Sequence, residues 1–135
     1  MPMLITKTAG GTGYGNVFIG GVNHPAQIKV DVSGLTTDEV DQFGYLKPGV
    51  PLTKTGVLVT TGLFVYGVTI EAQKIVPDNP TNTTLAAVTA DPIITVNTVG
   101  HVSRDVLEDN LGRALTADEI AGFDLAGSKI ALSAT

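Results

Sequence analysis

Gly44-Tyr45-Leu46-Lys47-Pro48-Gly49-Val50-Pro51-Leu52 sets two glycines and two prolines among apolar residues. Proline holds φ near −65° and glycine accepts a positive φ, so Pro48-Gly49 suits the central pair of a type II turn, while Pro51 keeps Val50 extended. The chain is therefore expected to enter and leave a tight surface corner as β structure. Tyr45, Leu46, Pro48, Gly49 and Leu52 form a candidate structural corner or interface. Tyrosine often anchors interfaces. The alternative for Tyr45 is a ring lying on the core with its hydroxyl at the surface.

Working outward, residues 26–32 alternate apolar and polar side chains, the period of a half-buried strand. Residues 56–60 and 63–70 are apolar and flank Thr61-Gly62, which predicts a hairpin of buried strands and the densest part of the core. Residues 71–76 continue extended, and residues 77–82 form a polar, proline-rich surface loop. Residues 85–89 and 93–99 flank Ala90-Asp91-Pro92 as a further pair of strands, and residues 129–132 close the sheet. The 18 Thr and 16 Val favour pleated strands, and 16 Gly and 7 Pro supply turns. The fold class expected is mainly β, a small β-sandwich or barrel-like domain.

Helix signals come late. Ser103 is a cap for a helix whose Val106, Leu107, Asn110 and Leu111 make an apolar stripe, and Gly112 is placed to end it. Thr116 and Glu119 have capping-box spacing, with Ile120 and Phe123 on one side of a second helix. The same spacing occurs at Thr36 and Glu39, predicting a single helical turn. Leu35 to Phe43 and Leu115 to Phe123 share Leu-Thr-x-Asp-Glu followed by an aliphatic residue and Phe at matching offsets. The flanks do not match, so one capping solution is used twice without a duplicated half.

Residues 10–21 contain six glycines. Glycine loses the most backbone entropy on ordering, so residues 1–21 are expected to be a mobile arm and residues 22–135 the single folded domain. Within the arm, Asn16, Val17, Phe18 and Ile19 are strand-competent and suit addition to a partner's sheet edge. A disordered terminus is the alternative.

At 135 residues the chain is long enough for a core without disulfide or metal staples. A formal charge of −5, with eight basic residues spread thinly, argues against nucleic acid as partner. There is no cysteine, hence no disulfide, thiolate site or Cys nucleophile. No apolar run approaches a membrane span and no signal-peptide pattern opens the chain, so a soluble, unprocessed protein is expected.

Motifs for chemistry fail on inspection. The run GGTGYG has Asn16 where GxGxxG needs glycine and precedes the first confident strand. His24 and His101 have no local carboxylate or second ligand. Asp38, Asp41 and Gly44 do not make a calcium loop, because Val40, Gln42 and Phe43 occupy positions that need oxygen donors or glycine. Asp105, Glu108 and Asp109, with Asp118 and Glu119, are a carboxylate cluster that helix-end electrostatics accounts for, with Arg104 and Arg113 near in sequence. No GxSxG is present. The reading assigns no catalytic, cofactor-binding or metal-binding residue.

The GYLKPGVPL corner, the strands after it and the late VLEDNLGRALTADEI segment, roughly residues 40 to 125, resemble the head decoration (cement) proteins of tailed bacteriophages. That resemblance implies a non-enzymatic structural virion protein, made in the host cytoplasm and bound outside the capsid. Its partner would be the major capsid protein of the same phage, it would often be a homotrimer, and residues 16–19 would be the capsid-contact arm. The family's members are often shorter and lack so glycine-rich a leader. Two other readings stand beside it: a virion module binding host glycans or receptors, and a small hydrolase using carboxylates around Glu108 and Glu119.

Overall fold

A computed structural model describes residues 14–19, 24–76 and 91–133. Among them run β1 (Pro25–Lys29), β2 (Tyr45–Leu46), β3 (Pro51–Leu52), β4 (Gly67–Val68), β5 (Gln73–Lys74), β6 (Ile93–Asn97), β7 (Gly100–Val102), α1 (Arg104–Leu111), α2 (Ala117–Asp124) and β8 (Ile130–Leu132). A four-stranded sheet has the order β1-β6-β4-β3, β2 pairs with β5, and β7 pairs with β8. The domain is thus mainly β with two short helices late in the chain. The two-stranded pairing of β7 with β8 is parallel, with α1 and α2 in the connection.

Alternation places Ile28 inward and Gln27 and Lys29 outward on β1, which pairs antiparallel with β6 from Pro25 opposite Asn97 to Lys29 opposite Ile93. Strand β6 meets β4 only at Asn97 opposite Val68. On the free side of β6 the Gln73 side chain takes the place of a neighbouring strand. Its Nε2 donates to Thr95 C=O and its Oε1 accepts from Thr95 N–H, both at 2.8 Å.

The predicted hairpin around Thr61-Gly62 does not form. The turn itself is present, with Gly62 at φ 84° and Leu63 N–H donating to Thr60 C=O. Its flanks find other partners: Leu58 bridges Leu52, Tyr66 N–H donates to Leu52 C=O, and Val65 N–H donates to Gly122 C=O in α2. An earlier turn over Thr53 to Gly56 decides this register. Gly56 N–H donates to Thr53 C=O, Thr53 N–H donates to Val57 C=O, and the Thr53 hydroxyl accepts from Val57 N–H. Residues 85–89 lie outside the described residues, whereas β6 and β8 form within the segments expected for them.

The helices follow their caps. The Ser103 hydroxyl accepts from Val106 N–H, and Gly112 ends α1 at φ 74° with its N–H on Glu108 C=O. Helix α2 opens with a complete capping box: Glu119 N–H donates to the Thr116 hydroxyl at 3.1 Å and Thr116 N–H donates to Glu119 Oε1 at 2.9 Å. Leu107, Leu111 and Phe123 join Val68 and Val96 of the four-stranded sheet, Leu46 of β2 and Val102 of β7 in the core.

Candidate functional site

The Pro48-Gly49 corner has the expected local geometry, with Gly49 at φ 97°. It is not a surface turn. Leu46, Pro48, Gly49, Val50, Pro51 and Leu52 are all buried, so four of the five candidate interface residues are core residues that hold the fold. Only Tyr45 is half-exposed. Lys74 Nζ sits 5.0 Å from the centre of its ring and donates to Phe43 C=O, a cation–π contact over an aromatic face.

A buried corner must satisfy its own peptide groups. Thr69, fully shielded, does so with four bonds. Its C=O accepts from Gly49 N–H at 2.8 Å and its N–H donates to Val50 C=O at 3.3 Å. Its hydroxyl accepts from Val50 N–H at 2.9 Å and donates to Lys47 C=O at 2.8 Å. Asn110 serves the other side. Its Nδ2 donates to Pro48 C=O and Gly15 C=O, and its Oδ1 accepts from Gly15 N–H. In the sequence Asn110 falls within the apolar stripe of α1. A primary amide on the buried face of a helix is itself the signal that other polar groups must meet it there.

Gly15 brings in the amino-terminal segment. Residues 14–19 are not held in reserve for a partner, which corrects the expectation of a free arm over this stretch. Val17 is completely buried, and its C=O accepts from Ser103 N–H at 3.0 Å. Phe18 bridges Val102 antiparallel, and Ile19 N–H donates to His101 C=O at 2.7 Å. The segment adds a strand to β7 of its own domain, because β7 offers an open edge and the space beside Gly49 and Leu107 receives Val17. Tyr14 closes the strap with a hydroxyl bond to Asp41 Oδ2 at 3.0 Å. Burial first, then this bond and the Asp41 charge, hold the Tyr14 phenol well above its ordinary value. Asn16 and Ile19 alone of the four candidate contact residues are exposed, Ile19 by 51%. Residues 1–13 and 20–21 of the expected arm lie outside the described residues.

Two carboxylates of the late acidic cluster, Glu108 and Glu119, are engaged in scaffolding. Glu119 Oε1 accepts from Thr116 N–H and from Arg113 Nη1 at 2.8 Å, and its Oε2 accepts from Arg113 Nη2 at 3.1 Å. Glu39 repeats the pattern at the first Leu-Thr-x-Asp-Glu: its Oε1 accepts from Thr36 N–H at 2.8 Å and its Oε2 from Arg113 Nη2 at 3.0 Å. Both carboxylates are nearly inaccessible, and the bonds to Glu119 above all push the Arg113 guanidinium above its usual range, against the opposing effect of burial. Glu108 Oε2 accepts from Leu115 N–H at 2.8 Å and pairs with Arg104 Nε at 3.3 Å. Each of these three glutamates accepts from a backbone donor and from a guanidinium, an arrangement that fixes helix ends.

Among the described residues, no group of three His, Cys, Asp or Glu side chains is close enough to hold a metal ion, and no helix is long and apolar enough to cross a membrane. Apolar side chains reach solvent at Ile93, exposed by 65%, at Ile19, and at Leu63 and Leu125 beside the end of α2. The chain matches no family model, no curated protein and no solved structure.

Proposed function

We propose that this chain is a bacteriophage capsid decoration protein, bound in many copies, as a homotrimer, to the outside of the virion shell and bridging neighbouring major capsid subunits. The observation that carries the reading is the commitment of Glu39, Glu108 and Glu119 to backbone donors and arginines, since these are the groups a reactive centre would have used. What such a body offers a partner is shape and exposed apolar side chains such as Ile93 and Ile19. The resemblance at the Pro48-Gly49 corner and the two late helices supplies the class of partner. Multiplicity does the rest: copies arrayed on a lattice raise each other's effective concentration, so modest single contacts reinforce the whole particle.

The test is to mix the purified protein with undecorated mature capsids of the same phage, sediment the particles and heat them. The reading expects co-sedimentation at saturable occupancy and capsids that survive a higher temperature. Protein left in the supernatant overturns it, and bound protein that leaves heat resistance unchanged removes the stabilising role.

A further inference from the structure

We propose that the Gln73 side chain is a plug on a strand-accepting edge: by bonding both peptide groups of Thr95 it keeps an extended segment of another chain from pairing with β6. The edge arises from the register. Thr98 N–H donates to His24 C=O and Val30 N–H to Pro92 C=O, so with Pro25 opposite Asn97 the residues of β6 that exchange bonds with β1 are Ile94 and Val96. Ile93 and Thr95 therefore turn their N–H and C=O to the other side. Strand β4 covers that side only at Asn97, opposite Val68. The next residue, Thr69, is committed to the buried corner, its C=O accepting from Gly49 N–H and its N–H donating to Val50 C=O, and the chain leaves β6 with it.

Gln73 fills the gap from elsewhere. A primary amide offers an N–H donor and a C=O acceptor, as a peptide group does. Its Nε2 donates to Thr95 C=O and its Oε1 accepts from Thr95 N–H, both at 2.8 Å, the pair of bonds that a facing residue makes in an antiparallel ladder. The backbone of Gln73 belongs to β5, which pairs with β2, so the plug comes from a separate ribbon and its withdrawal breaks no strand pairing. Beside it stands Ile93, exposed by 65%, with Lys29 opposite on β1. Free peptide groups next to a large exposed aliphatic side chain make a template for pairing with a further chain, and proteins cover or charge such edges. One glutamine covers this one. The plug acts on the free protein, before any surface is coated.

Amide hydrogen exchange and light scattering on the purified protein test this. The Thr95 amide is expected to be protected in the wild type and to exchange about tenfold faster in dilute Gln73→Ala, which lacks the acceptor. As its concentration is raised, folded Gln73→Ala is expected to form species larger than those of the wild type, with the Thr95 amide protected again by the incoming strand. Gln73→Met keeps the length of the side chain without either bond and is expected to do the same. Adding Ile93→Glu, which faces Lys29 and puts a charge on the edge, is expected to return either variant to the wild-type size. A wild-type Thr95 amide that exchanges at the rate of an unstructured peptide overturns the proposal without any variant. Folded Gln73→Ala and Gln73→Met proteins that keep the wild-type size at every concentration overturn it too, as does association that Ile93→Glu leaves in place, since that runs through another surface.

Discussion

Glu39 and Glu119 hold equivalent places in two copies of Leu-Thr-x-Asp-Glu, and both carboxylates end on the guanidinium of Arg113, at 3.0 Å and 2.8 Å. Each glutamate already closes a local box by accepting from the backbone N–H of Thr36 or Thr116. One arginine thus couples the turn after Leu35 to the start of α2. Asp38, half-exposed at 3.6 Å, adds little. Removing the cation leaves two buried carboxylates without it, and breaking such a pair from one side is far costlier than the net worth of the pair.

Arg113→Met is therefore expected to lower unfolding free energy by about 3 kcal/mol, the lower end for buried pairs because the Arg113 side chain keeps 20% of its surface in water. Urea denaturation measures it. Glu39→Gln is expected to be much milder in the Arg113→Met background than in the wild type. Equal costs in both backgrounds would mean that the two residues are not coupled. Arg113→Lys is not expected to rescue, since an ammonium lacks the planar fork that reaches Glu119 through two nitrogens.

Thr69 gives a second measurable claim. Its hydroxyl stands between Lys47 C=O and Val50 N–H, so Thr69→Val keeps the shape and strands two buried polar groups. The expected loss is about 1–3 kcal/mol. Thr69→Ser keeps the hydroxyl and gives up a methyl, about 1 kcal/mol. A valine variant as stable as the serine variant, by chemical denaturation, would show that the corner does not need this bond.

Two glycines with nearly the same backbone angle separate strain from crowding. Gly56 has φ 81° and Gly62 has φ 84°. A Cβ on Gly62 meets nothing within 4 Å, whereas one on Gly56 would stand 1.9 Å from Lys29 C=O. Gly62→Ala is expected to cost about 1–2 kcal/mol, the left-handed penalty alone. Gly56→Ala must also push the Thr53–Gly56 turn off the end of β1, and roughly 3 kcal/mol or more is expected. Thermal melts compare the two, and equal shifts would contradict the close approach.

What the sequence made readable was local. The Ser103 cap, the Gly112 terminus and the Thr116–Glu119 box are specified within a few residues, and α1 and α2 start and stop where those signals stand. The alternation of β1 likewise needs no distant knowledge. The fate of residues 57–70 does not follow in that way, because Val65 and Tyr66 choose Gly122 and Leu52 over each other's flanks, and α2 lies far along the chain. Val17 and Phe18 showed their apolar, strand-like character, but a period-2 pattern does not say whose sheet edge will be joined. Nor did either Leu-Thr-x-Asp-Glu copy announce that its glutamate would share Arg113 with the other.

Tyr14 makes the docking of the strap sensitive to alkali. Its phenol is held above the ordinary value of about 10 by burial first and by Asp41 second, so the folded chain binds that proton more tightly than the unfolded chain. The resulting contribution is fully present below pH of about 10 and is lost as pH rises towards the folded value. Urea midpoints measured from about pH 8 to about pH 11 should fall for the wild type, and fall less for Tyr14→Phe, which has no proton to lose. Every other ionisable group is common to both proteins and cancels in the difference. If the two profiles run parallel throughout, the Tyr14–Asp41 contact does not hold residues 14–19 to the domain in solution.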